Sequence, residues 1–349
     1  MELTATTELP HAGVIAIAGL GLIGGSLARR LTMRGRKVIA WNHRDRPYQE
    51  ARQAGITCVD TVEELAQAKP DVLVLCTPLK AMPEVLAKLA PVIDGHTTLT
   101  DVGSVKGQVR DEVKAAGLNA CYVGAHPMAG NEFSGYSASD PNLYDDALWA
   151  VTYDQATDYR RLLTVMDMIC EGVGNRVIVL DDQTHDCAAA LISHMPHVVA
   201  TALANELMDT PERNIAQALA AGSWRDMTRV ALTDPDRTRA MVEEDALNVS
   251  RLLHRMAERL TDMAKQLEQS SEHGDAQAQQ DILDFFAMAQ PYREFKAKQR
   301  QNDIVYPNQG LSIVADWRSE LLESAKRGEH IVHVVSSTSF EVQVRTRLS

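Results

Sequence analysis

The glycine-rich segment Gly19-Leu20-Gly21-Leu22-Ile23-Gly24 is the feature that most constrains how this chain folds. Its spacing is G-x-G-x-x-G, and it stands between a short apolar run and a helix-like segment, Ile23–Arg34. In such a motif the first glycine permits a tight turn, the second lets the backbone approach a pyrophosphate, and the third allows a helix and a strand to pack closely. The alternative is a glycine-rich turn that binds no ligand. The sequence predicts a dinucleotide site at a helix N-terminus, formed by Gly19, Gly21, Leu22, Ile23 and Gly24.

Short apolar segments alternate with helix-like segments through the first half of the chain. Unbroken apolar strands separated by helices are typical of a parallel sheet that is covered on both faces. The pattern therefore predicts an α/β dinucleotide-binding (Rossmann) domain with a mainly parallel sheet. The predicted strands are Val14–Ala18, Lys37–Trp41, Ile56–Val59, Asp71–Cys76, Thr97–Val102, Cys121–Gly124, Leu148–Tyr153 and Arg176–Leu180, and the helices that follow Ile23–Arg34 are Pro47–Ala54, Ala81–Leu89, Val105–Val113 and Ala156–Cys170.

Helical periodicity replaces the strand pattern after about Asp182. The segment Val249–Leu267 carries apolar residues at three- and four-residue spacing, which predicts a long amphipathic helix with a wide apolar stripe. Ala188–Leu207 is also helix-like and mostly apolar, so we expect it to be buried on most sides. Because few other elements remain to cover these helices, a core shared in a homodimer is favoured over a self-contained bundle.

The pattern changes again beyond Asn302. Leu311–Arg327 is predicted to be a helix, and Ile331–Val335 and Phe340–Arg347 are predicted to form a two-stranded hairpin that packs on the helical bundle. The predicted fold is an α/β N-terminal domain, residues 1–182, an all-α helical substrate and dimerisation domain, residues 183–302, and a short α/β C-terminal extension, residues 303–349.

Composition and charge disfavour several other classes of protein. The 349 residues include 35 Lys and Arg against 47 Asp and Glu, a formal net charge of −12, whereas a protein that binds nucleic acid usually has a net basic surface. No apolar run approaches about 20 residues, so we expect no membrane span, and the N-terminus lacks the pattern of a signal peptide. The odd number of widely spaced cysteines indicates reduced thiols in a cytoplasmic protein; they are Cys58, Cys76, Cys121, Cys170 and Cys187.

The end of the second predicted strand bears on the choice of cofactor. An NAD-specific fold places an Asp or Glu there, where it binds the ribose 2′-hydroxyl and repels a 2′-phosphate. This chain has Asn42 at that position, followed by His43 and Arg44, and a guanidinium can pair with a phosphate. The sequence therefore predicts NADP as the preferred cofactor. If Arg44 points to solvent instead, NAD and NADP are both usable. Thr77 and Pro78, after the fourth strand, are assigned to the same cofactor site.

Three further motifs stand where ligands bind in such a fold, beyond the carboxyl ends of strands. They are Asp101–Lys106 (DVGSVK), His126–Glu132 (HPMAGNE) and His194–His197 (HMPH). Together with the glycine fingerprint and Trp224–Ala231 (WRDMTRVA), in this order, they resemble the prephenate and arogenate dehydrogenases of tyrosine biosynthesis. The resemblance runs from about residue 13 to about residue 267 and does not include the C-terminal extension.

The resemblance implies the reaction. A ring alcohol of prephenate, or of its amino counterpart arogenate, gives a hydride to the nicotinamide, carbon dioxide leaves, and the ring becomes aromatic. The alcohol proton must leave at the same time, and a neutral imidazole suits that task near pH 7. His126 matches the catalytic histidine of the family. Ser104 matches a residue that hydrogen-bonds this histidine, although a serine there also suits the N-cap of the next helix.

The same resemblance assigns residues to the substrate. Arg229 matches the arginine that binds a substrate carboxylate, unless it only forms a surface ion pair with Asp226. His194 and His197 match the region that contacts the substrate side chain, one of them at the site and the other packed. The acids Asp186 and Glu132 match a charged network that gates the pocket, and Asp226 is placed in the same set.

One departure leaves the substrate open. Relatives often carry a Trp nine residues after the arginine, where this chain has Thr238, so the choice between prephenate and arogenate is not decided. Two other classes of protein would need different residues. Other hydroxyacid dehydrogenases usually use a catalytic lysine in the bundle, and none stands out in 186–205. A dinucleotide sensor that is not an enzyme would not need Ser104, His126 and Arg229 together. No metal is expected, because His194 and His197 lack acid or thiol companions at ligand spacing.

Overall fold

The computed structural model of the chain describes residues 9–131, 133–300 and 304–347. The chain folds into two compact units. The first consists of Met1–Asp186 and Asn308–Val344, and the second of Cys187–Pro307 and Arg345–Ser349. The first unit therefore combines the predicted N-terminal domain with most of the predicted C-terminal extension.

The first sheet of the first unit has five parallel strands, and its order identifies a dinucleotide-binding fold. The order is β3-β2-β1-β4-β5, with crossovers to either side of β1. This arrangement confirms the predicted fold class. The elements are β1 Val14–Ala18, α1 Leu22–Met33, β2 Lys37–Trp41, α2 Tyr48–Gln53, β3 Thr57–Cys58, α3 Val62–Gln67, β4 Val72–Leu75, α4 Met82–Leu89, β5 Thr98–Asp101 and α5 Gly107–Ala115.

The strands of this sheet have apolar residues at successive positions because both faces of the sheet are buried. In β1, Ile15 and Ile17 belong to one core cluster, while Ala16 and Ala18 belong to another. Successive side chains of a strand point to opposite faces, so a strand that is covered on both sides must be apolar at every position. The predicted bounds of β1 and β2 agree with the structure, whereas the other strands of this sheet are two residues shorter than predicted.

The second sheet is mixed, which the strand pattern did not predict. Its order is β6-β7-β8-β10-β11-β9, and only β7 and β8 are parallel. The predicted strand Cys121–Gly124 forms one bridge, between Tyr122 and Leu99 of the first sheet, and the strand proper starts at Gly124. The N-terminal elements of this sheet are β6 Gly124–Pro127, β7 Leu148–Tyr153, α6 Tyr159–Asp167 and β8 Arg176–Asp181.

The C-terminal segment completes this second sheet. Ile331 pairs with Val177 of β8, and Phe340 is fully buried in the main core of the first unit. Trp317 packs edge-on against Tyr153, with ring centroids 5.1 Å apart. The prediction that the hairpin packs on the helical bundle is therefore wrong, because its apolar residues cover a sheet edge that β8 leaves open. The elements are β9 Gln309–Ser312, which was not predicted, α15 Trp317–Lys326, β10 Glu329–Ser336 and β11 Ser339–Val344.

The secondary-structure elements of the second unit are all helices in the part that the structure describes, as predicted. Its longest helix contains the predicted amphipathic stripe, in which Val249 is buried but Leu260 and Leu267 are more than half exposed. The stripe is therefore only partly covered within one chain. The helices from the end of β8 onward are α7 Asp182–Ala189, α8 Met195–Asp209, α9 Arg213–Leu219, α10 Gly222–Thr228, α11 Pro235–Glu244, α12 Ala246–His273, α13 Ala276–Ala287 and α14 Gln290–Gln299, with a π-helical turn at Ala190–His194 between α7 and α8.

The helical run Asp182–Asp209 is long and strongly apolar. An 18-residue window in it has a mean hydropathy of 1.5, which by length and composition alone would suffice to cross a membrane. The expectation of no membrane span was drawn from the absence of a long uninterrupted apolar run, whereas a window average tolerates the polar residues that interrupt such a run. Only 28% of the window is buried inside the chain. A single such helix is weak evidence for a membrane span, since core helices of soluble proteins also reach this hydropathy.

Candidate functional site

The glycine fingerprint forms a tight turn between β1 and α1. Gly19 has φ of +114°, and a Cβ added there would lie 2.7 Å from the carbonyl oxygen of Cys76. A Cβ at Gly24 would lie 2.0 Å from the carbonyl oxygen of Gly19. A Cβ at Gly21, in contrast, would meet nothing within 4 Å. Gly19 thus permits the turn and Gly24 the close packing, while Gly21 faces open space.

The start of α1 has the features of an anion site. Its N-cap is Gly21, no side chain caps it, and its first turn contains no acidic residue. The first backbone N–H groups of the helix therefore lack a side-chain acceptor, as a pyrophosphate site requires. Just after the end of β4, the hydroxyl oxygen of Thr77 is buried without a hydrogen-bond partner among the described residues. These observations fit a bound dinucleotide, for which Leu22, Ile23 and the exposed Pro78 were also predicted.

A cavity of about 370 Å³ lies beyond the end of β2. Asn42 and His43 line it, and the side-chain oxygen of Asn42 accepts a hydrogen bond of 2.9 Å from the N–H of Leu20. The position that holds an acid in NAD-specific folds therefore ties β2 to the fingerprint. Arg44 is exposed and has no ion pair in the described structure. The acids that line the cavity are Asp45, Asp60 and Glu63, and Lys88 lines it as well.

The DVGSVK motif forms a buried ion pair under the strand that carries His126. Lys106 and Asp101 are both fully buried and paired, and the Lys106 Nζ also donates to the carbonyl oxygen of Ala125 at 2.7 Å. Burial lowers the pKa of Lys106, and the carboxylate of Asp101 opposes that shift. Asp101 in turn accepts a hydrogen bond of 2.8 Å from the hydroxyl of Tyr122. The motif thus fixes the backbone on which His126 stands.

His126 lies on β6 and contacts a second histidine. Its Nδ1 is 3.0 Å from Nε2 of His185, and the two rings meet edge to face at 5.2 Å. The Nδ1 of His185 is 2.8 Å from a carboxylate oxygen of Asp186. That carboxylate also accepts 2.8 Å hydrogen bonds from the N–H groups of Lys106 and Gly107, at the start of α5. Burial raises the pKa of Asp186, but these hydrogen bonds outweigh it and hold the pKa below its usual value.

These contacts change one of the sequence-based assignments. The helix after the DVGSVK motif begins at Gly107, so Ser104 is not its N-cap, and the acceptor for its first N–H groups is Asp186. Ser104 has no hydrogen bond to another described residue, and its predicted contact with His126 stays a prediction. Sequence reasoning missed His185, although it stands directly before the acid that was singled out. The predicted substrate role of Asp186 also remains untested.

The second unit places its two candidate histidines in different surroundings. His194 is 1% exposed, and its Nδ1 lies 3.0 Å from the carboxylate of Asp245. His197 is half-buried, and its Nδ1 has no hydrogen-bond partner among the described residues. Burial lowers the pKa of His197, a hydrogen bond with Val230 opposes this, and nearby positive charges lower the pKa further. His194 therefore packs, and His197 is the histidine with unused hydrogen-bonding capacity.

Arg229 is exposed and does not pair with Asp226. Asp226 instead lies 3.6 Å from the guanidinium of Arg225, so the surface ion pair weighed for Arg229 is absent. The electrostatic interactions that lower the pKa of His197 are those with His194, Arg237 and Arg229. Thr238, at the position of the missing Trp, donates a hydrogen bond to the carbonyl oxygen of Asp234. The remaining predicted acid, Glu132, lies outside the described residues.

Comparison with known proteins assigns both units. Residues 27–179 match the family model for the nucleotide-binding domain of prephenate dehydrogenase, and residues 181–283 match the model for its dimerization domain. The chain is 32% identical to the cyclohexadienyl dehydrogenase of Zymomonas mobilis over 66% of this chain and 80% of that protein. The chain belongs to the prephenate dehydrogenase family. This confirms the resemblance drawn from its motifs.

Two further relatives of the family define how far the similarity extends. The prephenate dehydrogenase of Lactococcus lactis is 31% identical over 63% of this chain, but the match spans only 61% of that enzyme. The crystal structure of Aquifex aeolicus prephenate dehydrogenase, with hydroxyphenyl propionate and NAD⁺, superposes with a TM-score of 0.72 at 27% identity, covering 82% of this chain and 99% of that chain. The protein is thus an oxidoreductase of this family that binds a nicotinamide dinucleotide.

Proposed function

We propose that this protein catalyses the oxidative decarboxylation of prephenate to 4-hydroxyphenylpyruvate, in tyrosine biosynthesis and in the cytoplasm. The observation that carries the proposal is His126, which stands on β6 with its Nδ1 engaged by His185. Its other ring nitrogen, Nε2, is the atom that would accept the proton of the substrate ring hydroxyl. The bound dinucleotide would supply the hydride acceptor.

The fold supports this role of His126 by anchoring the backbone beside it with a buried ion pair. The Lys106 Nζ holds the carbonyl of the preceding residue, Ala125, and both partners of the Lys106–Asp101 ion pair are fully buried. Proton transfer at a well-placed base contributes about 10²–10⁴-fold to a rate, and the contribution depends on geometry first. The predicted role of Ser104 is to position the same site from the loop that precedes α5.

The second unit supplies groups that suit an anionic substrate. Prephenate carries two carboxylates, and Arg229 offers an exposed guanidinium that no acid among the described residues neutralises. His197 has a buried Nδ1 without a partner in the described structure. Arginine binds carboxylates through paired, charge-assisted hydrogen bonds. We propose Arg229 as a carboxylate-binding residue and His197 as a contact of the substrate side chain, while His194, paired with Asp245, supports them.

An assay of the purified protein with prephenate and with arogenate tests the proposal. Oxidation of prephenate should release one carbon dioxide for each reduced nicotinamide, with 4-hydroxyphenylpyruvate as the product. A value of kcat/KM at least tenfold higher for arogenate, with tyrosine as the product, would replace the proposed substrate. Activity with neither compound, in protein that binds the dinucleotide, would contradict the proposed reaction.

We also propose a preference for NADP⁺. No carboxylate repels a 2′-phosphate at Asn42, and the exposed Arg44 can pair with it; one such contact is worth about 1.5–3 kcal/mol. The acids that line the cavity, Asp45, Asp60 and Glu63, would repel a 2′-phosphate. We therefore expect the preference for NADP⁺ to lie at the lower end of this range, about tenfold in kcat/KM. Arg44→Ala should remove the preference and leave NAD⁺ kinetics within about twofold, whereas Arg46→Ala, a neighbouring exposed arginine, should change neither. A wild-type protein that favours NAD⁺ would overturn this proposal.

The protein should be a homodimer through its helical unit. Residues 181–283 match a dimerization domain, and many large apolar side chains of this unit lie open in the single chain. Light scattering at micromolar concentration should give about twice the 38.4 kDa of one chain. Leu260→Glu should favour the monomer, because Leu260 is 57% exposed on α12 and a charge there would be buried on association. An active wild-type monomer would refute the assembly. Exposed apolar residues of this unit include Met208, Ile215, Leu219, Leu232, Leu247, Leu260, Leu267, Leu283, Phe286 and Met288.

A further inference from the structure

Behind His126 the structure contains a buried chain of hydrogen-bonding groups. His185 is 3% exposed, and its two ring nitrogens are both engaged, Nε2 with His126 at 3.0 Å and Nδ1 with Asp186 at 2.8 Å. The carboxylate of Asp186 also accepts two backbone N–H groups. The chain therefore ends at a group that is well stabilised as an anion. His185 has no predicted role from the sequence, and Asp186 is placed there among the substrate residues, in a charged network that gates the pocket.

The charge on Asp186 decides which atoms carry protons. A carboxylate only accepts hydrogen bonds, so the Nδ1 of His185 must be the N–H that donates to it. In a neutral His185, Nε2 then holds the lone pair and accepts. The partner atom, Nδ1 of His126, must therefore carry a proton and donate it. A neutral His126 with its proton on Nδ1 has its lone pair on Nε2.

We propose that His185 and Asp186 are positioning residues that hold His126 in the tautomer with a basic Nε2 and stabilise the imidazolium formed during the reaction. The proposal rests on the proposed role of His126 as the base. It replaces the assignment of Asp186 to the substrate. The predicted contact of Ser104 with His126 is a separate prediction and is not changed by it.

The proton balance of this arrangement is simple. The ring hydroxyl gives its proton to Nε2 of His126, which becomes an imidazolium with protons on both nitrogens. Its Nδ1 proton remains hydrogen-bonded to the lone pair of His185, or moves onto Nε2 of His185. In either case one positive charge lies along a row of atoms that ends at the Asp186 carboxylate. An acid that orients a histidine and stabilises its charged form has a large effect on general-base catalysis in other enzymes.

Other charges near this row are themselves paired. Lys106 forms its ion pair with Asp101, and Asp182, at the start of α7, pairs with the guanidinium of Arg110. Asp186, in contrast, bonds directly to His185. Loss of its connection to His126 should destabilise the imidazolium, so the acidic limb of the kcat profile should move to lower pH.

The tautomer can be measured without any change at His185. In ¹⁵N-histidine spectra of the wild-type protein at pH 8, His126 should show a protonated Nδ1 and an unprotonated Nε2, and the signals are assigned by their loss in His126→Asn. The opposite tautomer would overturn the proposal, whatever the activity. Because this readout needs no substrate, it separates the proposal from the proposed function. Inactivity of the wild type would refute the function, and a wrong tautomer would refute the positioning role.

Two substitutions of similar size separate positioning from packing. His185→Gln places an amide oxygen where it can accept from His126, whereas His185→Met fills the space without an acceptor. We expect His185→Met to lower kcat by about 10- to 100-fold, a part of the 10²–10⁴-fold of a general base, with cofactor KM unchanged and the acidic limb at lower pH.

His185→Gln should recover kcat to within about fivefold of the wild type. The matched control is His96→Asn, which removes another histidine that pairs with an acid, 2.9 Å from Asp71, and should leave kcat unchanged. Equal losses in both His185 variants without a shift of the pH profile would show a purely structural role. An unchanged kcat in His185→Met would also overturn the proposal.

Discussion

His126→Asn should lower kcat by about 10²–10⁴-fold while the dissociation constant of the nicotinamide dinucleotide stays within about twofold. Asparagine keeps a polar side chain but cannot accept a proton, so the general-base contribution is lost. In the proposed site the fingerprint turn and α1 bind the dinucleotide, so we expect loss of the His126 imidazole to leave this binding unchanged. Steady-state kinetics at saturating substrate, together with fluorescence titration of the dinucleotide, measure the two quantities.

The matched control is His333→Asn. His333 is also a histidine of the first unit that pairs with an acid, at 2.7 Å from Glu171, but it lies on β10. The kcat of the His333→Asn variant should equal that of the wild type. A deuterium isotope effect on the substrate should first establish that hydride transfer limits the rate. A His126→Asn variant within threefold of the wild-type kcat would then contradict the assignment of the base.

Features that depend on neighbouring residues were predictable. The spacing of Gly19, Gly21 and Gly24 and the apolar run of β1 fixed the turn, the first strand and the first helix nearly to the residue. Both signals are local, since a positive φ needs glycine and a strand buried on two faces needs an apolar residue at each position. The same locality explains why the helical character of the second unit was recognised.

Features that depend on distant pairing were not predictable. His126 and His185 are 59 residues apart, and they meet only because β6, β7 and β8 are neighbours in one sheet. The N–H groups at the helix start, Gly107, are satisfied by Asp186 from 79 residues away, whereas the sequence offered Ser104 as an alternative cap. In both cases the contact joins residues that are distant in sequence, so a pattern of neighbouring residues does not reveal it.

The C-terminal segment shows the same limit. Its hairpin pattern was recognised, but the alternation of Phe340 and Val342 with polar residues says only that one face is buried. It does not say against which element. In the structure both are buried in the core of the first unit, and Tyr159 donates a 2.6 Å hydrogen bond to the carbonyl of Ser337. An edge strand such as β8 accepts a partner through backbone groups, which leave no signal in the side-chain sequence.

Arg229→Ala should lower kcat/KM for prephenate by about 10- to 150-fold, mainly through a higher KM. The loss of one charge-assisted contact with a carboxylate, about 1.5–3 kcal/mol, corresponds to that range. Loss of a contact that binds substrate and transition state equally raises KM without changing kcat. Because Arg229 is exposed and Asp226 pairs with Arg225 instead, the thermal midpoint should hardly change.

Arg225→Ala provides the matched control, since it removes an exposed arginine four residues earlier whose partner is Asp226. It should leave KM within about twofold of the wild type. Arg229→Lys adds a second comparison: it keeps the charge but loses the paired geometry, so its KM should lie between those of the wild type and Arg229→Ala. An unchanged KM in Arg229→Ala together with a lower thermal midpoint would show that the guanidinium stabilises the second unit and does not bind the substrate.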